Sequence, residues 1–230
     1  MITYEELLKK LFPLADEKYR AFHKKLLKDD AIRVIGIRTP QLRKIAKEYR
    51  GEIDRFLTFP DEYYEVTWLK CAVASLLPYT QFVAVVDHLV GLLDNWATCD
   101  MFAPACINKH RDLFRTCILR YLEDDRVFVR RFALTTLLHF YVIEEELPFV
   151  LSCLRNVNTD EYYVSMAAAW LCAEVLVKFY DEGKAFLTEN SLSKETLSRA
   201  VRKACESFRL TDAQKNELRA LIGRNCHKKL

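Results

Sequence analysis

Apolar residues recur every three or four positions from one end of the chain to the other, the spacing that lays a single apolar stripe along an α-helix. Thr3-x-x-Glu6 reads as a capping box opening a first run through Leu7, Leu8, Leu11 and Phe12. Pro13 resets the chain, and a second run passes through Tyr19, Phe22, Leu26 and Leu27. Thr39-Pro40 supplies an N-cap and a proline at the first helical position, and Gly51 closes the helix over residues 41–50. Pro60-Asp61 opens a helix that carries Trp68 and stops before Pro78, and Thr80 caps the next, through Val83, Val86 and Val90. Asp94 or Asn95 caps a helix holding Trp96 and Asp100. Further helices are predicted over residues 109–121, 125–141, 144–157, 160–180 and 193–208, and Thr211-x-x-Gln214 is a second capping box that starts the last. Only residues 32–37 and part of 63–75 have strand-like composition. The first is short and flanked by polar residues, so it reads as a connection.

About a dozen helices joined by links of roughly two to six residues favour antiparallel neighbours. Stacked helical pairs are the natural way to bury so many single stripes. A helix–turn–helix cadence of roughly 35 to 45 residues, without strict sequence repetition, matches irregular HEAT-like units. The expected fold is therefore all-α, a HEAT-like helical-repeat solenoid (an alpha-alpha superhelix). With 5 glycines and 6 prolines in 230 residues there is no flexible linker at which to cut the chain, so residues 1–230 read as one domain.

Composition narrows the functional classes. No stretch of about 18 apolar residues offers a membrane span. The opening Met1-Ile2-Thr3-Tyr4 lacks the apolar core of a secretory signal, so a cytoplasmic location is expected. The eight cysteines are scattered without a C-x-x-C pair, the pattern of buried reduced thiols rather than a zinc site or a disulfide framework. The five histidines form no H-x-x-x-H pair, and His139, inside an apolar run, reads as a core residue. Net charge is only +3, but residues 1–50 carry 13 Lys/Arg against 7 Asp/Glu, residues 51–100 carry 2 against 8, and the last thirty carry 8 against 3. Two basic ends can present rims to a polyanion, although a mixture of solvated faces gives the same totals.

A few positions break the pattern of a plain core. Trp96 and Asp100, four apart, share one helix face. On the 125–141 helix, Val127, Phe128, Phe132, Leu134, Leu137, Leu138 and Tyr141 fill one broad arc, and Arg131 falls near its middle. A guanidinium there must meet a partner or line a cleft. Arg130 lies at the edge of that arc. The 160–180 helix is apolar nearly all round from Val164 to Val177, which places it inside the assembly, and Trp170 on it is either core or site. Pro104 is expected inside the Asp100 helix, bending it.

These residues bring the chain to a known family. It resembles the DNA alkylation repair family, the AlkD-type HEAT-like-repeat alkylpurine DNA glycosylases. The likeness rests on Val34-Ile35-Gly36-Ile37-Arg38-Thr39-Pro40 with Leu42-Arg43, on Asn95-Trp96 with Asp100, on Val129-Arg130-Arg131-Phe132-Ala133, on Tyr162-Tyr163 through Ala169-Trp170, and on Lys203-Ala204-Cys205-Glu206-Ser207-Phe208-Arg209. The resemblance implies a C-shaped solenoid with duplex DNA in its concave groove, acting with no metal and no cofactor; a monomer is expected. It implies hydrolysis of the N-glycosidic bond of cationic N3- or N7-alkylated purines. Asp100 matches the catalytic aspartate, Trp96 and Trp170 the aromatic pair at the lesion's deoxyribose, and Arg131 the arginine on the backbone phosphate. Arg130, Lys203 and Arg209 join Arg131 as expected DNA-backbone contacts.

The chemistry suits those residue types. An N-alkylated purine is already a good leaving group, and a fixed carboxylate stabilises an oxocarbenium-like transition state or positions the attacking water. Indole faces attract cationic carbon and hydrogen. The chain departs from the active branch at Met166, where that branch has a lysine, at Ala173, where it has an arginine, and at Leu27, where it has an aromatic. The alternative function, motivated by the lost basic groups and the low net charge, is a non-catalytic helical-repeat scaffold for nucleic acid or a protein.

Overall fold

A computed structural model describes residues 2–189 and 192–224, the side chains of 223 and 224 excepted. Cys226 and His227 lie outside these residues. Fourteen α-helices, three 3₁₀ turns and no strand make up the described residues, which is the all-helical architecture expected. The chain forms two compact units, Met1–His110 and Arg111–Leu230. Among the described residues no helix is long and apolar enough to cross a membrane.

The first unit contains α1 (Tyr4–Leu11), α2 (Glu17–Leu27), α3 (Thr39–Glu48), α4 (Ile53–Leu57), α5 (Tyr64–Ala74), α6 (Tyr79–Gly91) and α7 (Trp96–Met101). The Thr3/Glu6 capping box is present, with Glu6 N–H donating to Thr3 Oγ1 at 3.2 Å and Thr3 N–H to Glu6 at 2.8 Å. Helix α3 starts from Arg38 rather than Thr39, α6 from Pro78 rather than Thr80, and α5 three residues beyond Pro60-Asp61, at Tyr64. The short α4 has no counterpart in the predicted elements. At five residues it carries too few apolar positions to show a period.

Helix α5 is the centre of this unit, packing on α3, α4, α6 and α7 with all eleven residues buried. Two of the eleven are charged, and each has its own buried solution. Glu65, fully buried in the first turn, accepts the backbone N–H groups of Ile35 (2.9 Å), Gly36 (2.7 Å) and Ile37 (3.2 Å). Three charge-assisted bonds and the positive end of α5 offset the desolvation of that carboxylate. Lys70 donates from Nζ to the Phe59 carbonyl (2.7 Å) and Asp61 Oδ2 (2.9 Å), while Thr67 holds the other oxygen of Asp61 at 2.9 Å.

The segment over residues 32–38 is thereby a connection, as expected, but a tightly fixed one. Tyr64 N–H donates to the Arg33 carbonyl (2.8 Å) and Asp16 N–H to that of Gly36 (3.0 Å). Gly36 sits at φ +97°, and a Cβ there would lie 2.6 Å from Arg20 Cβ. Only glycine meets both conditions.

The second unit contains α8 (Arg111–Leu122), α9 (Val127–Phe140), α10 (Leu147–Asn156), α11 (Tyr162–Lys178), α12 (Tyr180–Thr188), α13 (Lys194–Cys205) and α14 (Asp212–Arg224). Helix α11 is central, packing on α9, α12 and α13. The expected 160–180 helix ends at Lys178, where the chain leaves helical geometry at Phe179, and α12, which has no counterpart among the expected helices, follows directly. Thr211 and Gln214 form the second capping box, Thr211 N–H to Gln214 Oε1 at 2.9 Å and Gln214 N–H to Thr211 Oγ1 at 3.2 Å. Cys71, Cys99, Cys153 and Cys172 are buried, and burial pushes the Cys172 thiol up to about 12, which keeps it unreactive.

Glu65→Ala strands three buried N–H donors, and guanidinium-chloride unfolding should show a loss of about 3 kcal/mol or more. A loss below ~0.5 kcal/mol would contradict the assigned role. His23, buried between the rings of Tyr19 and Tyr64, has its pKa lowered from 6.5 by burial. The unfolded chain therefore binds a proton more readily than the folded one. The contribution of neutral His23 is intact above about pH 6.5 and is lost as pH falls through its lower folded value. Unfolding curves at about pH 7.5 and about pH 5 should show a smaller acid loss in His23→Phe than in the parent, and equal losses would contradict it.

Candidate functional site

In the first unit, Trp96 and Asp100 are carried on α7, a helix of six residues. Asn95 adopts extended geometry at φ −149° and its side-chain oxygen accepts Thr98 N–H at 2.9 Å, the N-cap arrangement. Its amide nitrogen donates to Asp94 Oδ1 (2.7 Å) and Thr98 Oγ1 (3.1 Å). Asn95, Thr98, Cys99 and Phe102 are buried, whereas Trp96 and Asp100 are half-buried on the other side of the helix. The shared face expected from the i, i+4 spacing is therefore present, and it is the face that α7 does not bury.

Trp96 is held from a second direction. Its indole N–H donates to the carbonyl of Leu26 at 3.3 Å, in the last turn of α2, where helix carbonyls lack intrahelical partners. The α2 chain then turns at Lys28, which adopts the left-handed conformation at φ 57°. Leu27 is buried. Pro104 is not in this helix: α7 ends at Met101, and Pro104 caps a 3₁₀ turn over Ala105–Lys109. The bend expected from it is a helix end, because Phe102 at ψ 79° has already left helical geometry.

In the second unit, the candidate residues are carried on α9, α11 and α13 and just beyond it. Arg131 is 6% exposed, and its Nη1 donates to the Tyr163 carbonyl at 2.8 Å, in the first turn of α11. A backbone carbonyl is thus a partner that this buried guanidinium meets. Arg130, 9% exposed, sends Nη1 to the Asn158 carbonyl at 3.5 Å, and its buried Nε has no hydrogen-bond partner among the described residues. Trp170 is half-buried on α11, edge-on to His139 of α9 with ring centroids 6.4 Å apart. His139 is exposed in the last turn of α9 and is not the core residue expected.

Lys203 and Arg209 are exposed and engaged with carboxylates. Lys203 pairs with Glu206 at 2.8 Å, and Arg209 lies 3.3 Å from Glu174. The structure thus brings Trp96 together with Asp100 on α7, Arg131 onto the first turn of the helix that bears Trp170, and Arg130 onto the connection before it. Lys203 and Arg209 sit at the end of α13 and beyond it.

Sequence reasoning missed the frame around these side chains. Glu65 and Lys70 interrupt an apolar run at Tyr64–Ala74, and two charges inside a helix buried on all sides are the signal of compensated polar contacts. The consequence of the cap is testable by urea unfolding. Asn95→Ala should cost about 1–2 kcal/mol and Asn95→Ser should recover most of it. Equal losses in the two variants would show that the cap does not hold α7.

A family model described as DNA alkylation repair enzyme matches residues 7–208, a span that takes in every residue considered for the site except Arg209. No individual curated protein matches the chain. With a match over most of its length, on an all-helical architecture, this chain belongs to the DNA alkylation repair enzyme family.

Proposed function

We propose that this chain is a monofunctional DNA glycosylase that removes cationic N3- or N7-alkylated purines from duplex DNA. Membership of the family supports a role in DNA repair. The observation that carries the finer reading is the half-buried carboxylate of Asp100, one turn from Trp96 on a capped helix whose opposite face is buried.

In this reading the C1′–N9 bond breaks and its electron pair neutralises the positive charge of the base. The positive charge that develops on the deoxyribose is stabilised by the Asp100 carboxylate and by the electron-rich faces of Trp96 and Trp170. Water then adds its oxygen to C1′ and releases its proton to solvent. No general acid is required, because the leaving base is neutral once it departs. Arg130 and Arg131 hold the sugar–phosphate backbone, and phosphate competes with Glu206 and Glu174 for exposed Lys203 and Arg209.

The second reading is a non-catalytic scaffold, and the neutralisation of Lys203 and Arg209 by carboxylates is the observation in its favour. Single-turnover release of 7-methylguanine from a duplex separates the two. The parent protein should release the base, and Asp100→Asn should be slower by about 10²- to 10³-fold. Release that is undetectable at high enzyme excess, or unchanged by the substitution, would overturn the glycosylase reading.

A further inference from the structure

A cleft of about 640 Å³ in the second unit lies among α11, α13 and the end of α14 and contains none of the residues assigned to base release. Its apolar lining includes Tyr162, Met166 and Ile222, and its cations are Lys194, Arg199 and Arg202. Tyr162 is 53% exposed. A cleft that offers an open aromatic face beside three positive charges has the chemistry of a site for an anion carried on an apolar body.

The three cations differ in one respect from several others of the unit. Elsewhere in the unit, Arg115, Arg126, Arg155, Lys178 and Lys184 each lie within ion-pair distance of an aspartate or glutamate. Lys194, Arg199 and Arg202 meet no carboxylate within about 4 Å among the described residues, although Glu195 shares the lining. Charge that is not neutralised internally is available to an external anion.

Arg199 is also held in place. Its Nη1 donates to Ser165 Oγ at 2.5 Å, and its guanidinium lies 5.2 Å from the Tyr162 ring centroid. Ser165 is fully buried and shares a hydrogen bond with Thr196 Oγ1 (2.7 Å), which in turn donates to Thr159 at 3.2 Å. With Ser165 accepting from the arginine, every hydroxyl proton in that chain runs away from the guanidinium. The cation is oriented by neutral groups that leave its charge intact.

The cleft adjoins the cations already proposed to hold DNA. Arg131 reaches Tyr163 from α9, and Arg199 reaches Tyr162 and Ser165 from α13, so two guanidinium groups flank the first turn of α11. We propose that this cleft is a second backbone contact for the DNA strand. It seats a phosphodiester against Arg199 and Arg202, with the adjoining nucleoside on the Tyr162 ring. The inference rests on the reading of the chain as a DNA-binding repair protein and not on the chemistry assigned to Asp100.

The test is the salt dependence of binding to a fluorescein-labelled, undamaged duplex. For the double variant Arg199→Gln/Arg202→Gln, affinity should fall and the slope of log K against log salt should become shallower by about one to two. Arg155→Gln/Lys184→Gln removes two charges that are internally paired and should leave both quantities near those of the parent. Tyr162→Ala should weaken binding with little change of slope, and Tyr162→Phe should restore it. Because Arg199 touches a buried serine, Lys194→Gln/Arg202→Gln, which alters exposed side chains only, repeats the measurement with folding undisturbed. DNA binding that is indifferent to both cleft variants would overturn the proposal and leave the glycosylase reading standing. Binding that depends on the cleft without any base release would do the reverse, and no binding at any salt concentration would remove both.

Discussion

The side chain of Asn95 accepts the N–H of Thr98, and the placing of Trp96 and Asp100 rests on that bond, because a six-residue helix has too few internal hydrogen bonds to stand alone. The cap fixes one end of α7, burial of Thr98 and Cys99 fixes its inner face, and the Trp96 indole ties its outer face to α2. That tie reaches further into the fold. The N-cap of α2 is Asp16, whose N–H meets the Gly36 carbonyl, and Gly36 belongs to the segment gripped by Glu65 of α5. A buried carboxylate on the central helix is thus connected, through one connection and one helix, to the aromatic residue beside Asp100.

In the second unit the organising feature is the first turn of α11. An apolar helix packed on three neighbours leaves its N-terminal end as the place where charged side chains from α9 and α13 can reach backbone and hydroxyl groups. Arg131 approaches it from α9 and Arg199 from α13, while Arg130 reaches the connection that precedes it. A net charge of +3 says little about such a surface. What matters is which cations the protein neutralises itself, as with Lys203 and Arg209, and which meet no carboxylate among the described residues, as with Arg199 and Arg202.

Much of this architecture was legible in the residues because helix grammar is local. The two capping boxes, the Asn95 cap, the single stripe of α1 and the all-round apolarity of α11 each follow from spacing within a few residues. The shared face of Trp96 and Asp100 was legible for the same reason. The failures came where a tertiary contact decides. Pro104 sits outside α7 because the chain leaves helical geometry at Phe102, and His139 is exposed in the last turn of α9 although its run is apolar. Glu65 could be seen as a charge in an apolar run, but its three partners lie about thirty residues earlier, beyond the reach of any local period. The cleft on α13 was invisible for the same reason, since ion pairing is a property of space and not of spacing.

Base release in this scheme needs only a fixed carboxylate, and no acid, because the base arrives already charged. The most direct test compares single-turnover excision of cationic 7-methylguanine with that of neutral hypoxanthine, each placed in the same duplex sequence. Release of the cationic base and none of the neutral one is the required result. Comparable release of both would point to protonation of the leaving group and contradict a purely electrostatic role for Asp100.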